Sequence, residues 1–301
     1  MNSQIYDKII NVELYERDPK TGASVVNKIT CPLTGRKPHI TFSGQMFAAT
    51  AIVNHELRIK NLSLETPLTD IRFLRVTCGY RGGIQSTIEG TVLNAYQDKP
   101  GPDGDTTFHI LYGNIYTFLG NCCDGSIYAK GTPITDVFNG LISLMPGFEL
   151  SDKNGILKGV TLVKDICPEG RAKDAIISLA KNYLTFQVGF IGSSVLITNE
   201  KYGSGQEYVL NYLTQAPRLD AGQMTIIAPW NPEIRALDTV LVDSKYIKQT
   251  YGGALVTDKP IKFTVLTVDF NFSTVDDTNT MTLITTPDYS SGLTGNGWRN
   301  V

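Results

Sequence analysis

The stretch RFLRVTCGYRGGIQSTIEGTVLNAYQD, residues 72–98, decides the fold. Leu74, Val76, Cys78 and Tyr80 alternate with Phe73, Arg75 and Thr77, so its first half reads as a strand with two different faces. Arg81-Gly82-Gly83 supplies a turn whose glycines tolerate positive φ. The return half sets Ile84, Ile88 and Val92 on one side. A long β-hairpin is predicted. It carries Glu and Asp, but no nucleophile beside a base and no metal-ligand spacing. GYRGG, 79–83, precedes another strand, whereas a phosphate cradle needs a helix N-terminus next. A segment with a definite form and little chemistry points to form as the function.

Working outward, strands are expected at IINVELYE (9–16), KPHITFSG (37–44) and HELRIKNL (55–62), where Leu57 and Ile59 alternate with Glu56, Arg58 and Lys60. DKPGPDGD (98–105) is a loop by its Pro, Gly and Asp, and TTFHILYGNIYTF reads as the next strand. The pattern then turns helical. In TPITDVFNGLISLMPG (132–147), Ile134, Val137, Phe138, Leu141 and Ile142 form a stripe, with Thr132 as the expected cap and Pro146-Gly147 as the stop. GRAKDAIISLAKNY (170–183) repeats it with Ala172, Ala175, Ile176, Leu179 and Tyr183. TFQVGF and SVLITN, joined by Gly192-Ser193, then form a short hairpin. After KYGSGQE (201–207), a boundary, the chain returns to β at 224–244, 260–273 and 280–287. The fold class read from this is mainly β with a small α+β insert: a β unit at 1–118, a linker with a helix-helix-hairpin unit at 119–204, and a second β unit at 205–301. The last dozen residues, YSSGLTGNGWRN, are expected to order against a partner.

Composition narrows the function. The 301 residues carry 27 basic and 29 acidic side chains, a net charge of −2, with no basic cluster of the kind that grips nucleic acid. No apolar run is long enough to span a bilayer, and MNSQIYDKIINVELYERD lacks the pattern of a secretory signal. Cys31, Cys78, Cys122, Cys123 and Cys167 are read as reduced structural cysteines, because neighbours on a strand point to opposite faces and no further ligand follows the Cys122-Cys123 pair. His39, His55 and His109 lie far apart in strand-like runs and are expected to be solvated or locally hydrogen-bonded. Asp103-x-Asp105 and Asp276-Asp277 are read as turn acids, since neither continues to the glutamate of a calcium loop. Trp230, in APWNPE, is read as a packed turn residue, with sugar stacking as the alternative. No catalytic, metal or cofactor site is expected.

Three passages together resemble the hub proteins of bacteriophage baseplates and tail tips. The first runs from Asn61-Leu62 through RVTCGY to IEGTV, similar to that family's strand ending in Asn-Leu, its V-x-V-x-x-GY strand and its I-x-x-G-x-V return. The second, KDAIISLAKNYLTFQVGFIGSSVLITN, is similar to its helix, aromatic strand, turn and apolar strand. The third is NPEIRALDTVLVDS, KFTVLTVDFNFS and TMTLITT, with Leu237 where the family often has glycine before Asp238. The resemblance covers about 37–287. It implies two β-barrel-like tube domains flanking the helical unit, and a non-enzymatic homotrimer of near-sixfold symmetry. It further implies a ring that joins the tail tube protein to the central spike protein, with the tape measure and baseplate wedge proteins as neighbours. Such a protein resides in the virion, at the baseplate or tail tip, and is assembled in the host cytoplasm. The rival expectations are a receptor- or glycan-binding tail module and a tail-associated cell-wall hydrolase. The hairpins near 72–96 and 260–286, and the terminal tail, are the expected contact segments.

Overall fold

Alternation of buried and exposed residues, legible in the opening hairpin, runs through most of the chain. In a computed structural model it produces, in order, β1 (Lys8–Tyr15), β2 (Val25–Thr30), β3 (Ile40–Phe47), β4 (Asn54–Lys60), β5 (Phe73–Tyr80), β6 (Gln85–Gln97) and β7 (Asp105–Tyr112). The helical unit follows as α1 (Ile115–Gly120), α2 (Ile134–Ser143), β8 (Glu149–Ser151), α3 (Ala172–Lys181), β9 (Gln187–Ile191) and β10 (Ser194–Thr198). Then come β11 (Glu207–Leu210), β12 (Arg218–Asp220), β13 (Gln223–Pro229), β14 (Thr239–Val242), β15 (Ile261–Ser273) and β16 (Thr280–Pro287). The structure describes residues 8–21, 25–30, 38–47, 54–62, 64, 67–80, 83, 85–99, 104–113, 115–183, 186–198, 206–220, 223–243, 260–276 and 279–287. Cys31, Asp103, Asp277, the tip residues Arg81, Gly82 and Ile84, residues 201–205 of the expected boundary and the expected C-terminal tail lie outside them.

The hairpin forms as read: β5 and β6 are antiparallel, from Phe73 opposite Thr91 to Gly79 opposite Gln85. Leu74, Val76 and Cys78 are fully buried, and Ile88 and Val92 face the same core. Phe73, on the face it shares with Arg75 and Thr77, is also buried, because Tyr15 lies edge-on to it at 6.4 Å. Sequence reading passed over β2, β8, β11 and β12. TTFHILYGNIYTF is a strand only to Tyr112. Gly113, at φ +97°, breaks it, and the remainder turns into α1, carrying Phe118 into the helical unit's core.

In the helical unit, β8, β10 and β9 form a sheet of three strands, and the other thirteen strands build one sheet. Its path is β12-β13-β16-β15-β3-β4-β7-β6-β5-β1-β2, with β14 beside the first half of β15 and β11 beside β14. Two sets of six strands share one plan. The N-terminal set pairs in the order β3-β4-β7-β6-β5-β1, and the C-terminal set in the order β12-β13-β16-β15-β14-β11. Both central strands, β6 and β15, are 13 residues long and carry a bulge, between Val92 and Asn94 and between Val265 and Thr267. Superposing the bulges equates the Val92 N–H to Arg72 carbonyl bond (2.9 Å) with the Val265 N–H to Asp238 carbonyl bond (2.8 Å). The repeat departs at one place: β1 meets β5 antiparallel, whereas β11 meets β14 parallel.

The two sets are joined by their backbones. The second half of β15 pairs with β3, from Thr267 opposite Phe47 to Ser273 opposite Thr41. One hydrophobic core accordingly runs from Ile10 through Phe42 and Phe108 to Phe270 and Leu283. The helical unit has its own core, in which α2 buries Ile134, Val137, Phe138, Leu141 and Ile142, and α3 buries Ala172, Ala175, Ile176 and Leu179. Thr132 does not cap α2. Its hydroxyl donates to the Ala129 carbonyl at 2.7 Å, and Pro133 takes the cap position. The helical unit meets the sheet through a close approach of two glycines. A Cβ on Gly113 would lie 2.7 Å from the Gly192 carbonyl oxygen, and one on Gly192 would lie 2.7 Å from the Tyr112 ring. Both have positive φ, so both conformation and space call for glycine.

Candidate interaction surfaces

The passages singled out in the sequence have physical reasons in the fold. Asn61 ends β4 at φ +58°, a left-handed conformation that asparagine tolerates. Gly90, in IEGTV, sits where a Cβ would come within 2.3 Å of Ile110 and 2.5 Å of the Leu111 carbonyl oxygen. Tyr80, the tyrosine of RVTCGY, lies edge-on to Phe272 at 6.1 Å and donates its hydroxyl to the Trp230 carbonyl at 3.3 Å, so the first passage holds the third. In NPEIRALD, Asn231 accepts the Glu233 N–H at 3.0 Å and Ile234 is fully buried. The buried Asp238 accepts the Arg235 N–H at 2.7 Å. Leu237 keeps the turn at φ +71°, the conformation a glycine would adopt without strain, and its own N–H reaches the Val265 carbonyl at 2.7 Å.

The outer face of the sheet carries a ladder of alternating charge. Lys28, Glu13, Arg75 and Glu89 stand opposite one another on β2, β1, β5 and β6. Lys28 reaches Glu13 at 2.7 Å, and Arg75 reaches Glu13 at 3.2 Å and Glu89 at 2.7 Å. The Lys28 bond, against the opposing effect of partial burial, holds the Glu13 carboxyl below its usual range. Lys20 completes the row, 3.9 Å from Glu89, and also donates to the Gly147 carbonyl in the turn that follows α2. The ladder thereby reaches the helical unit. Farther along this face, Thr41, Ser43, Glu56, Arg58, Asp105 and Asn271 line a polar groove with His39 exposed at its rim. His109 lies on this face too, stacked on Tyr96, with Nδ1 4.0 Å from Glu56.

His55 departs from its expectation. It is 1% exposed on the core side of β4, and among the described residues neither ring nitrogen has a hydrogen-bond partner. Phe42, Tyr112 and Phe270 surround it at centroid distances of 5.8, 5.4 and 5.5 Å. Burial lowers its pKa to about 4, so the ring is neutral at pH 7. Its neighbours come from β3, β7 and β15, the seam where the two strand sets join. Trp230 is also packed, 2% exposed and 4.5 Å from Phe272, which withdraws the ring from any sugar. Beside it a groove of about 300 Å³ opens between Tyr80, Val209, Tyr212, Pro229 and Pro232.

The other sequence candidates stay apart. Cys78 is buried in the core, which raises its thiol pKa. Cys122, Cys123 and Cys167 are free thiols on the helical unit. Among the described residues, no cluster of three His, Cys, Asp or Glu is arranged to hold a metal ion, and no helix is long and apolar enough to cross a membrane.

The fold of this chain is shared with solved phage tail proteins. A tail protein from Neisseria meningitidis MC58 superposes with a TM-score of 0.58 and 10% identity, over 94% of this chain and 98% of that one. The 43 kDa tail protein of prophage MuSo2 from Shewanella oneidensis gives 0.56 and 10%, with the same coverages. A component of the Escherichia coli type VI secretion system, itself described as structurally similar to bacteriophage T4 tail proteins, gives 0.52 and 11%, over 84% of this chain and 75% of that one. No family model matches the sequence, and no curated protein matches it. The likeness is therefore carried by the fold.

Proposed function

We propose that this chain is a structural hub of a phage tail. In this reading it is a non-enzymatic homotrimer in which each subunit contributes two β units to a ring of near-sixfold symmetry. The ring continues the hexameric tail tube on one side and seats a trimeric spike on the other. Tape measure and baseplate wedge proteins are neighbours, assembly takes place in the host cytoplasm, and the product resides in the virion. The observation that carries this is the duplicated six-strand plan, set in a fold shared with tail proteins. Two alike units in one chain let three copies match a sixfold partner. Light scattering of the purified protein over a concentration series, with negative-stain images of the same sample, is the test. A trimer with a central hole is expected. A persistent monomer that is also absent from purified tails would overturn the reading.

A further inference from the structure

The seam between the two strand sets is a pattern that each chain displays in two unfilled halves. Within the chain, β15 gives the first half of one edge to β14 and the second half of that edge to β3. Its counterpart β6 gives the first half of the matching edge to β5, whose pairing stops at Thr91. Beyond that point, among the described residues, no strand lies on this edge, and Leu93 and Tyr96 are 57% and 42% exposed. At the far end of the sheet stands β12, the counterpart of β3. Among the described residues it pairs with β13 alone. One chain thus presents the receiving edge and the inserting strand of one junction at separate places. That is the condition for a head-to-tail contact that closes into a ring.

We infer that β12 of a second copy of this chain docks along the edge of β6 from Leu93 to Asp98, in the register by which β3 docks on β15. The inference rests on the ring reading above and names the contact that would build it. The register transfers residue by residue. The bulges align Asn271 with Asp98. The pairings of Gly44 with His55 and of Leu219 with Met224 align Ser43 with Arg218. Ser43 stands opposite Asn271 within the chain, so Arg218 of one copy stands opposite Asp98 of the next. The pair is complementary in charge, and both residues are exposed. Asp98 is already oriented, because its Oδ1 accepts the Asp105 N–H at 2.7 Å. The intrachain seam is dry and aromatic around Phe42, His55 and Phe270, whereas beside this edge Leu93 is exposed and Tyr96 lies on the outer face, stacked on His109.

The test uses the full chain. Asp98→Cys and Arg218→Cys proteins are mixed and treated with a short bismaleimide, with wild type and each variant alone as controls for the exposed Cys122 and Cys167. A cross-linked dimer in the mixture only, and a ladder ending at trimer in the double variant, are expected. In parallel, Asp98→Arg and Arg218→Asp should each lower the assembled fraction at least tenfold at fixed concentration, and their combination should restore it. No cross-link and no charge effect in a protein that still forms a holed trimer overturns this junction and leaves the ring. The same negative result with a monomeric wild type, absent from tails, overturns both. A mixture-specific cross-link in an assembly of another size keeps the junction and removes the trimer.

Discussion

The imidazole of His55 rests on the backbone of Gly44: a Cβ at position 44 would lie 2.6 Å from Nδ1. β3 and β4 can pair here only because one residue of the facing pair has no side chain. Gly44→Ala should therefore destabilise by about 1–3 kcal/mol through overpacking, read as a lower denaturant midpoint. The cost should shrink in Gly44→Ala/His55→Ala, because residues in contact are not additive. Equal costs in both backgrounds would refute the contact.

His55 also predicts a pH dependence. Its folded pKa, about 4, lies below the ordinary 6.5, so the unfolded chain binds the proton more readily. Stability is then undiminished by this residue above about pH 6.5 and declines as pH falls towards 4, by roughly 1.4 kcal/mol per unit of pKa difference. Glu13, whose pKa is lowered, adds an acid loss of the same sign at lower pH. Urea titrations between pH 7 and pH 4 should show a slope that flattens in His55→Phe. An unchanged slope in that variant would remove His55 as its source.

Arg75 stands between two carboxylates, and these three side chains are a fifth to a third exposed. Replacing it with methionine keeps the stem and leaves Glu13 and Glu89 repelling each other. A loss of about 1 kcal/mol is expected, smaller at high salt because exposed pairs are screened. A loss independent of salt would assign the effect to packing.

Asp238 is 3% exposed and its carboxylate closes the turn that holds Leu237 at positive φ. Asp238→Ala leaves the Arg235 N–H without that acceptor and should cost about 1–3 kcal/mol. Asp238→Asn, which keeps an acceptor oxygen, should cost less. Thermal melts of the two variants distinguish a turn held by this side chain from one held by backbone alone.

Much of the fold was legible because a strand at a sheet surface writes its burial into alternate residues. β1, β4, β5 and β15 were read that way, and the stripes of α2 and α3 likewise. Short strands escaped. The three residues of β12 hold too little pattern, and β2 lies at the edge, where no residue is fully buried. The β7–α1 break turned on one glycine, Gly113, whose positive φ no periodicity reveals. The charge ladder was not read: Arg75 was placed on the face opposite Leu74 and Val76, but its alignment with Glu13 and Glu89 depends on register between strands. His55 was misread because its run, HELRIK, puts a polar residue in the buried phase, and the phase prevailed over its chemistry. Two β units flanking a spacer were legible from the layout, but their strand-by-strand correspondence was not, because pairing order is what repeats, while Met224 answers His55 and Phe263 answers Gly90.

The seam on β15 has a consequence for synthesis. β3 leaves the ribosome long before its partner strand; the Ile40–Thr274 hydrogen bond beside the seam spans 234 positions. The N-terminal strand set must then wait, with a bare apolar margin at Phe42 and Met46, until β15 has been made. A truncation anywhere before residue 261 leaves that margin open for good. Messages cut short before β15 should yield aggregates or chaperone-bound chains, so that only chains carrying that strand are released to assemble.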